Sequence, residues 1–216
     1  MPPRGLRSKA TLAMPSDMKV HGSRRRGATL EAAIFAAVLE QLSDVGFSAM
    51  TMEGVAASAH TGKAALYRRW PSKEDLVADT LDAVMPSFEM PRDNGSARAD
   101  IAEVLDRMAT TMNTPAGCAM QSLFGELDPG HEFIQTLHER VFAPRKAMML
   151  DVLRRGVVRG DVRPDAVKSV IAEAGPALLV QRLLMYGPPI DAGFIASVLD
   201  EVVMPLISPA PVRPRG

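Results

Sequence analysis

A short basic segment near the N-terminus contains the side chains best suited to bind an anionic polymer. At helical spacing, Lys63 and Tyr67 share one outward face, and Ala64 and Arg68 share the adjacent one. Lysine and arginine donate hydrogen bonds to phosphate or to guanine edges, while alanine lets a helix approach the bases closely. This spacing favours a nucleic-acid contact over the alternative, an ordinary surface helix with solvated charges.

The residues around this segment supply the elements that must position it. A helix is predicted over residues 52–59 with Thr51 as its N-cap, followed by a tight turn and a second helix over residues 62–70. Leu66 and Trp70 lie one turn apart on the inward face of the second helix, so they are predicted to be buried. Two short helices joined by a tight turn, the second of them basic, are typical of the helix-turn-helix of DNA-binding proteins.

Two flanking helices are predicted to complete this N-terminal domain. Apolar residues recur at helical spacing over residues 29–45, with Thr29 as the N-cap and Gly46 as a left-handed stop. Ser72 is predicted to cap a fourth helix that ends near Met85. These helices would hold the basic helix against a small apolar core, as DNA recognition requires.

The stretch from Val55 to Leu76 resembles the signature of the TetR family of bacterial regulators, and its central match is LYRRWPSKEDL. The resemblance covers about residues 29–76, and beyond them only length and helical character match. It implies a homodimer that binds a palindromic operator on double-stranded DNA, as a repressor more often than as an activator. It also implies a small molecule that changes the spacing of the two DNA-binding heads. Base contacts are implied for Lys63, Ala64 and Ala65, and phosphate contacts are implied for Thr51, Tyr67, Arg69 and Lys73.

Two residues depart from the usual pattern of that family. His60 stands in the turn where glycine is usual, so we expect a left-handed backbone at a residue that tolerates it less well than glycine does. Gly62 stands where serine or threonine is common, which removes one possible helix cap. Neither departure argues against DNA binding, but each changes the expected docking geometry.

Charge is distributed unevenly along the chain, although its formal net charge is zero. Residues 1–73 hold eleven Lys/Arg against five Asp/Glu, and residues 74–216 hold fourteen against twenty. A basic end and an acidic body favour contact of the N-terminal part with nucleic acid. Residues 1–28 are predicted to be a flexible basic arm that follows phosphates or enters the minor groove. Its candidate DNA contacts are Arg24, Arg25 and Arg26.

The rest of the chain is predicted to be an all-α body for effector binding and dimerisation over residues 77–207, with a loose tail over residues 208–216. Its helical stripes are interrupted by proline and glycine, and such interruptions leave room for a small apolar or amphipathic effector. The candidate cavity residues are Leu105, Met108, Met112, Cys118, Phe124 and Met148.

The last two predicted helices carry more apolar surface than one chain is expected to cover. We therefore expect a homodimer in which two helices from each subunit form a four-helix bundle across a two-fold axis. The candidate interface residues are Leu178, Leu179, Leu183, Ile195, Val198, Leu199 and Val202.

Other classes of function receive less support. An enzyme is not predicted, because the sequence has no Gly-rich phosphate loop, nucleophile elbow or metal-spaced Cys/His cluster, and no cofactor is expected. Cys118 is the single cysteine and is interpreted as a small hydrophobe in a reducing cytoplasm. No apolar run is long enough to span a membrane. The main alternative is a DNA-binding or scaffold protein of the same fold with no small-molecule effector. A cavity in the body would favour the sensor, and a filled core would favour this alternative.

Overall fold

The protein is all-helical, which confirms the predicted all-α fold class. The computed structural model describes residues 20–86, 89–128 and 130–209, with side chains from Ala28 onward, and these ranges contain no strand. None of their helices is both long enough and apolar enough to cross a membrane. The helical elements in chain order are α1 (Val20–Asp44), α2 (Gly46–Ala49), α3 (Met52–Ser58), α4 (Lys63–Tyr67), α5 (Lys73–Val84), α6 (Ala97–Met112), α7 (Pro115–Glu126), α8 (Glu132–Leu137), a π-helical turn (His138–Phe142), α9 (Ala143–Arg159), a 3₁₀ turn (Pro164–Ala166), α10 (Ser169–Tyr186), α11 (Ala192–Ser197), a second π-helical turn (Val198–Val203) and α12 (Met204–Ile207).

The first helix is longer than its sequence predicts. It begins at Val20, nine residues before Thr29, the predicted N-cap. No proline follows Pro15 until after α4, so no residue in this stretch lacks the amide hydrogen that helical bonding requires. The helix therefore covers the last nine residues of the predicted arm (1–28), and residues 1–19 lie outside the described ranges.

Local signals at the helix ends act as the sequence predicts. Gly46 adopts a φ of +80°, the left-handed conformation that ends α1. The Thr51 hydroxyl accepts a hydrogen bond from the amide of Gly54 at 3.1 Å, and α3 begins there. The Ser72 hydroxyl accepts one from the amide of Asp75 at 3.0 Å and caps α5. These caps satisfy amides that would otherwise lack partners and fix where each short helix starts.

A small apolar core holds the N-terminal helices together, and we call the unit they form the head (residues 28–84). Ile34, Val38 and Leu42 of α1 recur at intervals of four residues and are buried. They belong to one cluster with Val55 of α3 and Leu66 of α4, both fully buried. The short helices α3 and α4 are thus anchored on α1 rather than stable by themselves.

Each of the two π-helical turns directly precedes a helix whose second residue is proline. Apolar periodicity predicts one helix over about residues 131–155, kinked or interrupted at Pro144. In the structure this segment is α8 and α9, joined through the turn that precedes Pro144. The second turn precedes Pro205 in α12 in the same way. Proline cannot donate to the helical ladder, so a wider turn at this point accommodates the missing bond. At Pro144 the helical pitch therefore changes while the helical conformation continues to Arg159, and Gly160 ends it with a φ of +88°.

The predicted dimer residues form part of the core of a single chain. Five of the seven are less than 9% exposed, and they pack in one cluster with α6 and α9: Leu179, Leu183, Ile195, Val198 and Leu199. Leu178 and Val202 are half-buried. A side chain that is already covered within its own chain offers little contact surface to another subunit, so the structure gives no support to these five residues as interface contacts. The sequence pattern does not reveal that α6 and α9 pack against α10, or that α6 also packs against α11 and the second π-helical turn.

A buried carboxylate joins two body helices and the loop before them. Asp100 of α6 is fully buried, and its Oδ2 accepts hydrogen bonds at 2.8 Å from Arg159 and 3.1 Å from Arg155, both on α9. Its Oδ1 accepts the amide hydrogen of Asn94 at 2.9 Å. Burial raises the pKa of the Asp100 carboxyl, but the Asn94 amide and the two guanidinium groups outweigh it, and that pKa lies below its ordinary value.

Candidate nucleic-acid interface and ligand cavity

The turn between α3 and α4 sets the orientation of the basic helix. His60 adopts a φ of +50°, which is the left-handed backbone that its position in the turn predicts. Gly62 precedes α4 and offers no side chain to cap it, as predicted. α4 ends at Tyr67, earlier than the predicted end at Trp70, because the residue before Pro71 disfavours helical conformation. The recognition helix is therefore short and is held by its neighbours.

Leu66 and Trp70 anchor the basic helix to the head, as predicted. Leu66 is fully buried and Trp70 is 3% exposed. The Trp70 indole Nε1 donates a hydrogen bond to Asp79 of α5 at 2.8 Å, and its ring lies 5.9 Å from that of Phe35, centroid to centroid. Asp79 also pairs with Arg140 of the body. The tryptophan therefore connects the recognition helix to both α1 and α5.

The outward face of α4 carries the predicted base-contacting residues. Lys63, Ala64, Tyr67 and Arg68 are exposed, and Ala65 is half-buried. The Lys63 ammonium forms an ion pair with Glu53 of α3 and lies 5.5 Å from the centroid of the Tyr67 ring. Its hydrogen bond to that carboxylate raises the pKa of Lys63, so the side chain is charged at neutral pH.

The two adjacent arginines have different roles in the free protein. Arg69 pairs with Glu31 of α1, and its Cζ lies 4.7 Å from the centroid of the Trp70 ring. Arg68 is exposed, and its guanidinium makes no hydrogen bond or ion pair within the described part of the chain. Of the two guanidinium groups, Arg68 therefore needs to break fewer contacts to reach DNA.

Two of the predicted phosphate contacts also stabilise the head. The Lys73 ammonium donates a hydrogen bond to the backbone oxygen of Phe47 at 2.8 Å and lies 4.3 Å from the centroid of its ring. Two of its three donors remain for other acceptors. The Thr51 hydroxyl is exposed and can donate while it caps α3. The side chains of Arg24, Arg25 and Arg26 lie outside the described residues, so their contacts stay predictions.

A carboxylate of the body holds the first turn of α2. Glu126, at the end of α7, accepts hydrogen bonds from the amides of Phe47 at 3.1 Å and Ser48 at 2.9 Å. Its third donor is the Ser122 hydroxyl, at 3.1 Å. The Ser48 amide is the main reason that the pKa of Glu126 lies below its ordinary value. The sequence analysis did not identify Glu126, and no local signal could have done so, because 78 residues separate it from Ser48.

The body contains a cavity of about 360 Å³ between α6, α7, α9 and α10. Three of the six predicted residues line it: Met108, Phe124 and Met148. Leu105 and Met112 are buried in the body core instead, and Cys118 is half-buried but outside the lining. Leu105 packs against Gly175 of α10, where an added Cβ would lie 3.3 Å from it. Those three residues therefore lie outside this cavity, because spacing along a helix does not reveal which neighbour each side chain meets.

Both halves of the chain match models of one protein family. Residues 34–80 match the family described as "Bacterial regulatory proteins, tetR family", and residues 91–202 match "Tetracyclin repressor-like, C-terminal domain". The chain belongs to the TetR family. It is therefore a DNA-binding transcriptional regulator, and the helix-turn-helix of α3 and α4 is its DNA-binding element.

Three similar proteins each align with more than four-fifths of this TetR-family chain. A "DNA-binding transcriptional repressor TetR" of Mycobacteroides abscessus is 29% identical and covers 85% of this chain and 97% of its own. The crystal structure of the TetR-family regulator SCO0332 is 27% identical, with a TM-score of 0.63, and covers 83% of this chain and 99% of its own. Salmonella enterica GusR shares the fold at 14% identity with a TM-score of 0.68, covering 82% and 95%.

In this TetR-family protein, replacing Glu126 with glutamine is expected to lower the free energy of unfolding by about 1 kcal/mol. A neutral amide oxygen accepts weaker hydrogen bonds than a carboxylate, and the exposed position screens the charge. Because the folded pKa is lowered, the difference should be complete above about pH 4.3 and disappear as the pH falls through the folded pKa. Urea unfolding at pH 7 and at pH 3 measures the difference in the free energy of unfolding and its loss in acid.

The matched control is Glu139→Gln, an exposed carboxylate in the first π-helical turn. Its substitution should change the free energy of unfolding by less than about 0.5 kcal/mol. Equal effects of the two substitutions would mean that Glu126 does not hold the head through its charge.

Proposed function

We propose that this protein is a ligand-responsive repressor that binds a palindromic operator as a homodimer. The observation that carries the proposal is that α7 takes part in both the cavity and the head contact. Met120 and Phe124 line the cavity, and Glu126, half a turn further along, binds the amides of α2. A molecule that moves α7 would therefore move the attachment point of the head.

Such a ligand acts only if it binds two conformations with different affinities. A conformation in which Phe124 is displaced would also displace the Glu126 carboxylate, since both belong to the last turn of one helix. The head would then rotate relative to the body, and the distance between two heads in a dimer would change. Operator affinity and ligand affinity are coupled reciprocally in this scheme.

Exposed apolar residues of α10 support a dimer interface that does not use the five buried residues of the predicted set. Val170, Leu184 and Met185 lie within about 100° of one another around the axis of α10 and are 72%, 38% and 67% exposed. Apolar side chains at this exposure on one helix are typical of a surface that another subunit covers. We propose that this face of α10 packs against its symmetry mate, with the half-buried Leu178 and Val202 at its edge.

Dimerisation through this face predicts that Val170→Glu combined with Met185→Glu converts the protein to a monomer. Two buried carboxylates on each side of a two-fold interface would repel each other and lose their hydration. Multi-angle light scattering at micromolar concentration measures the mass. The matched control is Val158→Glu on α9, which replaces a side chain that is 89% exposed away from this face. A wild-type monomer, or a double variant that remains a dimer, would contradict the assignment.

Mapping of bound DNA across the source genome tests the operator. The expected result is a sequence with two inverted half-sites separated by about one helical turn or a multiple of it. Single half-sites without an inverted repeat would contradict the palindrome. The alternative function, a DNA-binding protein with no effector, is supported if small molecules that bind the cavity leave operator affinity unchanged.

A further inference from the structure

The charges around the cavity are unequal. Of the residues that line it, three are cationic and one is anionic, whereas the remaining lining residues are apolar. The cations are Arg107 of α6 and the adjacent Arg145 and Lys146 of α9, and the anion is Glu173 of α10. An apolar cavity with a few polar groups at one side orients a ligand through those groups. The sign of these groups therefore indicates the charge of the ligand.

Arg145 is part of the wall. Its side chain is 16% exposed, and its Nε donates a hydrogen bond to the backbone oxygen of Pro86 at 3.0 Å. It also donates to the backbone oxygen of Val141 and lies 3.3 Å from the carboxylate of Asp82. Burial lowers the pKa of this guanidinium, but an arginine remains charged at neutral pH. Arg145 thus holds α5 and the chain after it against α9.

Lys146 and Arg107 are available to a ligand. The Lys146 ammonium lies 3.2 Å from the Glu173 carboxylate, and this pair is 28% and 48% exposed. Arg107 pairs with Glu103, one turn earlier on α6, and Glu103 does not line the cavity. Ion pairs at this exposure contribute little to stability, so an incoming anion can replace either carboxylate at small cost.

We propose that the cavity binds a small amphipathic carboxylate. The apolar part of this ligand lies among the methionine and phenylalanine side chains, and its carboxylate binds Lys146 and Arg107. The volume of about 360 Å³ corresponds to roughly a dozen non-hydrogen atoms at the density of liquid water. Flexible methionines, among them Met108, Met120 and Met148, adapt to an aliphatic or an aromatic body. A cationic ligand would face three like charges and one opposite charge, that of Glu173. The proposal rests on the cavity being the effector site of the proposed function.

Calorimetry of the full chain without DNA tests the ligand class. The probes are decanoate and 1-naphthoate, each compared with the alcohol of the same carbon skeleton, below any micellar concentration. At least one acid is expected to bind about tenfold more tightly than its alcohol, the difference that one charge-assisted contact supplies. If neither acid binds, or if the alcohols bind as tightly as the acids, the proposal is overturned.

Three variants identify the side chains that bind the carboxylate of the ligand. Lys146→Met and Arg107→Met leave a flexible unbranched side chain and remove its charge, so each should reduce the preference for acid over alcohol several-fold. Glu173→Gln removes the competing carboxylate and should tighten acid binding. The matched control is Arg154→Met, an exposed arginine of α9 outside the cavity, which should change nothing. An unchanged preference in all three variants would contradict the assignment even though the protein folds.

The same titrations separate this inference from the proposed function. An acid that binds in the expected manner but leaves operator affinity unchanged would contradict the ligand response and keep the assignment of the cavity. Alcohols that bind as tightly as acids and release the operator would contradict the assignment and keep the ligand response.

Discussion

Replacing Lys63 with alanine is expected to weaken operator binding roughly tenfold to a hundredfold per subunit, while binding to a scrambled duplex changes much less. The ammonium lies on the outward face of α4, where a recognition helix meets the edges of bases. Its ion pair with Glu53 is exposed, so DNA can displace the carboxylate at small cost. Arg68→Ala should act in the same direction. Salt titrations of each variant on both duplexes measure the two effects.

The comparison variant for this experiment is Lys73→Ala. A lost phosphate contact should weaken binding to operator and scrambled DNA alike and reduce the salt slope by about one per contact in each subunit. Because Lys73 also binds the Phe47 oxygen, the thermal stability of the Lys73→Ala variant must be measured in parallel. If Lys63→Ala lowers both affinities equally, its base-reading role is wrong, and Ala64 and Ala65 remain as the residues that contact bases.

Replacing Asp100 with asparagine is expected to lower the free energy of unfolding by about 3 kcal/mol. The substitution leaves two guanidinium groups of α9, each about one-fifth exposed, beside a neutral amide in the place of their shared carboxylate. Removing one partner of a buried ionic cluster costs more than the pair contributes, because the remaining charge is poorly solvated. Urea unfolding measures the difference at neutral pH.

Acid should reproduce this loss in the unsubstituted protein. The folded pKa of Asp100 is lowered, so its contribution is complete above the ordinary value near 3.9 and is lost as the pH falls through the folded value. The matched control is Asp151→Asn, an exposed carboxylate that pairs with Arg154 on α9 and should cost less than about 0.5 kcal/mol. Equal destabilisation by the two substitutions would show that the buried cluster contributes no more than a surface pair.

The features that sequence predicts well are those with local causes. Thr51, Gly46 and Ser72 mark helix ends through bonds or backbone angles that involve at most three neighbouring residues. Leu66 and Trp70 share a helix face, so their burial follows from periodicity once the helix-turn-helix is assigned. The fold class and the DNA-binding element therefore followed from short segments.

The features that sequence does not predict depend on which distant elements meet. Leu179 and Leu199 are apolar whether they face a core or a partner, and only the positions of α6 and α9 decide between the two. Glu126 and Asp100 are single acidic residues whose importance comes from amides and guanidinium groups far along the chain. The cavity shows the same limit, since Leu105 and Met108 lie one turn apart on α6 and only one of them lines it.

Trp70 gives this protein an intrinsic optical reporter. It is the only tryptophan of the chain, and its indole environment is set by Asp79, Phe35 and Arg69, all within the head. The Asp79 carboxylate that accepts its hydrogen bond also pairs with Arg140 in the body. Tryptophan emission therefore arises from the DNA-binding unit alone, and the carboxylate beside the indole also takes part in the ion pair that links this unit to the body. Quenching or a spectral shift on ligand addition would report in real time, and without a label, that a signal has passed from the cavity to the recognition helix.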